Sequence, residues 1–324
     1  MNVALVGSNF ALKGYLPVLK KIKKLKLKII CSRNIKNIKD EINYFEDLTY
    51  EENWKNIFKK SIDLIILAVP PVLQSKILSH NLKYKKKIIF EKPISHNLFK
   101  SKKIVEGLKK NKISCEVNLT YLNHDLFEHV KRIIKEKTLG RVMKYKILWE
   151  FVSYDLNKRI KSWKTNEKIG GGVKNIFLTH VFSYCEFFFG KNKCKTFRIK
   201  MIKFKNLDYK KFITCNLINP NSIEGRIDVF TKKSGPQKHR IRIDFTKGYI
   251  ELFTKSKDWT KDFTLKIYNK NKDSTKIIRS KKNIIFKDGR CNQIYTMLSR
   301  FLTIQNYTNI DFCLNAEKIN YKIN

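Results

Sequence analysis

The sequence predicts an α/β domain with a parallel sheet, followed by an α+β domain. Three observations carry that prediction. Strand-like and helix-like patterns alternate through the first ~120 residues, the order that builds a parallel sheet with helices on both faces. The first apolar run closes on a glycine, Gly7, and leads straight into an amphipathic stretch. The second half changes to strand-like runs at short intervals, with strict alternation in Arg240-Ile241-Arg242-Ile243-Asp244-Phe245.

Residues 2–6 are apolar and read as a buried first strand. Over residues 12–24 the positions Tyr15, Leu16, Val18, Leu19 and Ile22 recur at helical spacing, which predicts an amphipathic helix. Residues 26–31 are a second strand and 50–60 a helix. Residues 62–69 are a strongly apolar strand stopped by Pro70-Pro71, and 72–82 are the helix those prolines open. A strand at 87–90, a helix at 98–110 and a strand at 113–117 complete the alternation. Residues 125–137 are a helix closed by Gly140. Runs at 142–151, 196–204, 212–217, 222–230, 240–245, 249–253, 263–267 and 276–278 are strands of an antiparallel meander. Residues 293–304 are a terminal amphipathic helix, able to pack back on the first domain. There is no internal repeat and no low-complexity linker, so the boundary is placed near residue 120, between a domain of 1–120 and one of 121–324.

With 324 residues, 42% hydrophobic and 30% charged, the chain can build two cores and is globular in composition. No run approaches the ~18 apolar residues of a membrane span, and the first residues lack the basic region of a signal peptide. The seven cysteines, at 31, 115, 185, 194, 215, 291 and 313, form no CxxC pair. Neither a zinc site nor a disulfide framework is expected, and a reducing cytoplasm is the simplest setting. The formal net charge of +41 would suit a nucleic-acid or anionic-surface binder. Lysine, however, outnumbers arginine about five to one and occupies every segment, whereas specific readers of nucleic acid lean on arginine. The charge is read as compositional, and it still attracts anionic small molecules such as phosphates.

The chemistry-bearing residues stand at strand ends. The first turn reads Gly7-Ser8-Asn9-Phe10-Ala11-Leu12. A dinucleotide-binding turn wants glycine at the first, third and sixth places, for the tight turn, close approach to pyrophosphate and helix packing. Only Gly7 is kept, and Asn9 is a residue that can adopt positive φ. After the second strand, Cys31-Ser32-Arg33-Asn34 offers a serine and an arginine where an NAD site would place an acid for the ribose hydroxyls. A guanidinium suits a 2′-phosphate, so NADP is expected over NAD. Ala68, Val69, Pro70 and Pro71 end the 62–69 strand and could line the cofactor. Glu91-Lys92-Pro93 follows the 87–90 strand directly, which puts a lysine where open α/β sheets bind ligands. Farther on, Trp163-Lys164 precedes Gly170-Gly171-Gly172, three glycines that would let the backbone come close to a ligand. Residues 173–190 then read as a helix carrying His180 on the stripe Val173, Ile176, Phe177, His180. A histidine on an apolar stripe is commonly a satisfied core residue; the glycines ahead of it favour a site.

Taken in order, the glycine turn, Ser32-Arg33, Ala68-Val69-Pro70-Pro71, Glu91-Lys92-Pro93, Leu139-Gly140-Arg141-Val142, Trp163-Lys164, Gly170-Gly171-Gly172 and His180 resemble the Gfo/Idh/MocA oxidoreductase family. Lys247-Gly248-Tyr249-Ile250-Glu251-Leu252 is similar to a strand pair of that family, so the resemblance covers most of the chain. It implies a Rossmann domain joined to a domain with a large, mostly antiparallel sheet, which also serves homo-oligomerisation. It implies NAD(P) and no metal, and hydride transfer between nicotinamide and a secondary alcohol or ketone of a sugar, polyol or nucleotide sugar. The family's lysine falls on Lys92 and its histidine on His180, the expected catalytic pair. Glu91 and Lys92 join the strand-end residues named above in contacting the cofactor, while Tyr121, His124, Trp163, Asn175, Thr179 and His180 face the substrate. The chain departs from the family pattern near the histidine. Ile176 and Ser183 replace aspartates, Leu178 replaces a glycine, and Leu122 stands where an arginine is common. These departures leave two alternatives open: a non-catalytic NAD(P)- or sugar-binding member, and a basic polyanion binder on a retained fold.

Overall fold

The apolar runs of the N-terminal third pair into one six-stranded parallel sheet. The computed structural model describes residues 1–33, 47–158, 160, 162–204, 207–232, 234–280, 285–304 and 309–323. The strands are β1 (Asn2–Val6), β2 (Lys26–Cys31), β3 (Thr49–Glu51), β4 (Leu64–Leu67), β5 (Lys87–Glu91) and β6 (Cys115–Asn118), in the spatial order β3-β2-β1-β4-β5-β6. The order reverses where β1 lies beside β4, and open parallel sheets bind ligands at strand carboxyl ends beside such a reversal. β4, Leu-Ile-Ile-Leu, is buried throughout, as a strand covered on both faces must be. A π-type turn at Ala11–Tyr15 runs into α1 (Leu16–Lys21), and α2 (Pro71–Tyr84) and α3 (Leu98–Lys110) follow. The helix expected over 50–60 does not form as one element. Thr49–Glu51 instead pairs with β2, and Trp54–Lys59 forms a 3-10 helix. The side chain of Asn53 accepts a hydrogen bond from the Lys55 N–H, which starts the helix only after the strand.

Past residue 119 the architecture changes. α4 (Asp125–Lys135) precedes β7 (Val142–Val152), and α5 (Thr179–Phe189) precedes β8 (Lys193–Phe204) and β9 (Leu207–Ile218). Then come β10 (Glu224–Lys232), β11 (Lys238–Phe245), β12 (Gly248–Thr254), β13 (Thr264–Asn269) and β14 (Ser274–Arg279). These strands form an eight-stranded sheet in the order β14-β13-β12-β11-β7-β10-β9-β8. The alternation in β11 turns His239, Ile241, Ile243 and Phe245 to the buried face, beside Tyr145, Ile147, Trp149 and Phe151 of β7. The sheet is mostly antiparallel but is not the simple meander the strand spacing suggests. β7 and β10 run parallel, and β11 lies on the opposite flank of β7 from β10. The helical stretch between β7 and β8 breaks the hairpin succession and sets the following strands on either side of β7.

Two helices close the chain: α6 (Gly289–Thr303) and α7 (Ile310–Lys322). The second is missing from the sequence reading, because Asn315 and Asn320 interrupt its stripe of Ile310, Cys313, Leu314, Ala316 and Ile319. α6 places Cys291, Ile294, Met297, Leu298 and Phe301 in one core with Tyr15, Leu16 and Leu19. Asn309 accepts from the Val117 N–H at 2.8 Å and donates to the Val117 carbonyl at 2.7 Å, standing in for a neighbour along the edge strand β6. The chain divides into two units: Met1–Leu119 with Lys168–Gly170 and Phe286–Leu314, and the remainder.

Candidate active site

In the first unit the strand order dictates where a ligand can lie, and Gly7 shapes the spot. It is buried with φ +131°, a backbone conformation open to glycine. Its N–H donates to the Cys31 carbonyl at 2.9 Å, and the Ala68 N–H donates to the Val6 carbonyl at 2.9 Å, so the ends of β1, β2 and β4 are laced together. Ser8 and Asn9 are exposed at the opening helix. Asn9 is helical and does not take the positive φ that the sequence reading allows it, since the helix starts at that residue. Phe10 packs edge-on against Tyr15 with ring centroids 5.8 Å apart, and Ala11 is buried beneath. The Arg290 guanidinium, paired with Asp288, lies 5.1 Å over the Phe10 ring. Nothing in the local sequence points to Arg290; α6 brings it there.

Ser32 is buried, and its N–H donates to the Glu51 carbonyl at 2.9 Å, while Arg33 is exposed; Asn34 lies outside the described residues. Strand β3 therefore brings a carboxylate, Glu51, alongside the end of β2, and the Asn56 amide donates to it at 3.1 Å. Ala68, Val69 and Pro70 are half-buried at the end of β4, and Pro71 is buried as the first residue of α2.

Lys92 follows the last residue of β5 and is half-buried; the Lys92–Pro93 peptide is cis. The residues around it are fixed from the core. Glu91 accepts from the Tyr15 hydroxyl at 2.7 Å and the Asn118 amide at 2.8 Å. Burial raises the Glu91 carboxyl above its usual range, partly offset by these bonds and by the charges of Lys92 and Arg290. Burial and the Glu91 carboxylate push the Tyr15 hydroxyl far up, so it stays a donor at neutral pH. Gln74 of α2 bonds the main chain on both sides of Lys92. The sequence signal for Gln74 is faint: a polar residue on the buried stripe Pro71, Gln74, Ser75, Leu78.

In the second unit Tyr121 is the hub of an aromatic cluster. Its ring meets His180 edge-on at 5.5 Å, His239 at 5.2 Å and Trp149 at 5.7 Å, and its hydroxyl donates to the Trp259 carbonyl at 3.3 Å. His180 is buried on the first turn of α5. One turn apart along that segment, the Asn175 amide donates to the Gly171 carbonyl and the Thr179 hydroxyl to the Asn175 carbonyl, each at 2.9 Å. Thr179 also accepts from the Asn320 amide of α7 at 2.9 Å. Trp163 opens a 3-10 turn capped by Ser162, and the Trp163 carbonyl abuts Gly171. His124 is buried at the border of the same cluster: its Nδ1 accepts the Leu126 N–H at the start of α4, and its ring faces Phe127 and Phe263, which both also meet Tyr121.

The three glycines do not open the backbone to a ligand as the sequence reading has it. A side chain on Gly170 would meet Pro71 at 2.8 Å, one on Gly171 would strike the Trp163 carbonyl, and one on Gly172 would strike Glu167. Their small size serves chain-on-chain packing. Among the described residues no cluster of His, Cys, Asp and Glu could hold a metal ion, and no helix is long and apolar enough to cross a membrane.

The strand order, the glycine turn at its reversal and the lysine at the end of β5 define a dinucleotide-binding oxidoreductase scaffold. Residues 1–119 match the oxidoreductase family with an NAD-binding Rossmann fold, and residues 127–251 match the Gfo/Idh/MocA C-terminal domain. The chain belongs to the Gfo/Idh/MocA oxidoreductase family. It is 24% identical over 130 residues to an uncharacterized oxidoreductase of Schizosaccharomyces pombe, a match that takes in 40% of this chain and 35% of that protein. It is similar in structure to a levoglucosan dehydrogenase in complex with NADH and levoglucosan (TM-score 0.83, 16% identity, 100% of this chain and 96% of that one). An oxidoreductase from Agrobacterium radiobacter with NAD+, L-tartaric acid and magnesium gives a TM-score of 0.80 at 16% identity, covering 99% and 94% of the two chains. A 3-ketoreductase from Actinomadura kijaniata with NADP and TDP-benzene gives 0.78 at 13% identity, covering 98% and 94%. At such identities the likeness establishes a common fold. The first turn fits a dinucleotide: Gly7 holds it tight, and the helix start leaves Ser8 and Asn9 exposed.

Proposed function

We propose that the protein transfers a hydride between NAD(P), with NADP preferred, and a secondary alcohol or ketone of a sugar, polyol or nucleotide sugar. The observation that carries this reading is Lys92, set at the carboxyl end of β5, one strand beyond the sheet reversal, and held there by buried groups. The bound dinucleotide supplies or receives the hydride. Lys92 donates a hydrogen bond to the substrate oxygen and stabilises negative charge that develops on it. His180 exchanges the proton of the same oxygen, since an imidazole titrates near neutrality. Tyr121, by its edge-on contact, limits the tilt of the His180 ring, a task that Ile176 cannot perform. Trp163, Asn175 and Thr179 belong to the same segment as His180 and serve the substrate side, with His124 as a further candidate. Ser32 and Arg33 take the 2′-phosphate. The levoglucosan and ketoreductase complexes support a sugar-like substrate, and the charge of +41 favours an anionic one such as a nucleotide sugar. A cytoplasmic homo-oligomer built on the eight-stranded sheet completes the reading.

The test is NADPH consumption, or NADP reduction, against a panel of keto- and hydroxy-sugars, with Lys92→Ala and His180→Ala in parallel. His180→Ala should lower kcat by roughly 10²–10⁴ with NADPH affinity nearly unchanged, and Lys92→Ala should lower kcat at least as far. Turnover that survives both substitutions removes the pair from the mechanism. Cofactor binding without turnover on any sugar favours the non-catalytic alternative.

A further inference from the structure

One side chain of the first unit makes an unusual set of bonds. Gln74 lies in the first turn of α2 with 1% of its surface exposed. Its amide nitrogen donates to the carbonyls of Glu91 at 2.6 Å, Pro93 at 2.8 Å and Ile94 at 3.3 Å. Its amide oxygen accepts the Glu91 N–H at 3.1 Å. Four main-chain groups that bracket Lys92 on both sides thus converge on one side chain. Only a carboxamide joins an NH₂ donor to a carbonyl acceptor in this way. Gln74 is itself anchored, because its N–H donates to the Pro70 carbonyl at 2.9 Å where β4 ends. The amide therefore ties the exit of β4 to the exit of its neighbour β5, across the strand pair Leu67 with Phe90.

We infer that Gln74 is a positioning residue for Lys92: it fixes the main chain from which the ammonium group reaches its target. The inference rests on the reading of Lys92 as the group that binds the reacting oxygen. The turn after β5 carries carbonyls that point at Gln74, so another side chain there must leave them without a donor, and the turn then relaxes toward other partners. Lys92 is carried by that turn, so its ammonium moves with it. The Glu91 side chain, held by Tyr15 and Asn118, keeps one end of the turn in place. The expected fault is a rotation about that end and not the loss of the whole site.

The experiment compares Gln74→Met, which keeps the length and loses every polar atom, Gln74→Glu, which keeps the shape and loses the donor, and Gln74→His, which returns one donor and one acceptor. Two readouts are taken on folded protein. The first is the rate at which an acylating reagent modifies Lys92 relative to Lys87 and Lys100, followed by peptide mass spectrometry; it needs no substrate. The second is the split between kcat and KM, with NADPH affinity measured by fluorescence titration. The Met and Glu variants should shift the relative acylation of Lys92 by about threefold or more, through its changed surroundings. They should also lower kcat by ~10², the loss expected for a displacement near 1 Å, with NADPH affinity held. The His variant should recover part of both. If Gln74→Met does not fold, Gln74→Asn keeps the amide with shorter reach and is read the same way. Unchanged acylation of Lys92 overturns the inference, as does changed acylation with unchanged kcat. A wild-type protein without turnover on any sugar removes the catalytic reading of Lys92, and the acylation comparison then decides alone whether Gln74 sets its position.

Discussion

Replacing Gly7 by alanine tests whether the first turn is dictated by backbone geometry. The added Cβ would collide with the Ala68 carbonyl oxygen, lie 3.0 Å from the carbonyl carbon and 3.3 Å from the Ala11 Cβ. Carbon atoms at rest stand roughly 3.5–4.0 Å apart, so the ends of β1 and β4 must part. They cannot part freely, because the Gly7 N–H is bonded to Cys31 and the Ala68 N–H to Val6, each at 2.9 Å. Holding a residue with a side chain in the glycine-only region costs roughly 1–3 kcal/mol, and forcing extra volume into packed structure costs about 1–3 kcal/mol more. The sum, roughly 2–6 kcal/mol, is a large share of the 5–15 kcal/mol that ordinarily holds a domain folded. Urea unfolding followed by circular dichroism measures the loss, and fluorescence titration measures NADPH affinity, which should fall at least about tenfold as the turn moves. A Gly7→Ala protein within about 0.5 kcal/mol of wild type, with wild-type NADPH affinity, would show that the turn does not require glycine.

Two further outcomes are expected. Arg33→Ala should weaken NADPH binding by about 10- to 100-fold, the worth of a charge-assisted bond to the 2′-phosphate, and leave NADH nearly unaffected; equal losses would remove Arg33 from the 2′-phosphate, and wild-type NADH binding as tight as NADPH would reject NADP preference and turn attention to Glu51 as a ribose ligand. Burial holds His239 down to about 3, stacked on Trp149 and bonded to the Tyr184 hydroxyl, so it is neutral when folded. The unfolded chain takes up this proton below its ordinary pKa of 6.5, so the stability His239 contributes is full above that pH and is lost as pH falls toward 3. The slope is at most about 1.4 kcal/mol per pH unit, and unfolding of His239→Gln across pH 7 to 4 should lack it; an unchanged slope would assign the acid sensitivity to other groups.

Short-range pattern along the chain encodes several of these features directly. Alternation in β11 chose its buried face, the apolar runs marked all but one strand of the parallel sheet, and Gly7 and Glu91-Lys92-Pro93 announced themselves by standing next to such runs. These features follow from periodicity and from residues with few conformations, so neighbours along the chain suffice to read them. Other features depend on groups far apart in sequence. The short β3 is a strand because β2 offers it an edge; its own pattern reads as helix. β10 runs parallel to β7 because a helical stretch breaks the hairpin succession, and no run of residues within either strand records that. α7 is a helix whose asparagines bond Thr179 and Glu186, which makes a broken stripe look unhelical until those partners are in place. The glycines of 170–172 are small because Pro71, Trp163 and Glu167 press on them, whereas the sequence makes them resemble a ligand approach. At the site the same division holds. Lys92 is legible from its strand, but Gln74, Tyr15, Asn118 and Arg290 gain their meaning only from the carbonyls, carboxylate and ring that folding brings to them. A hydrogen bond is specified by two partners in space, and the sequence names each of them without recording the distance between them.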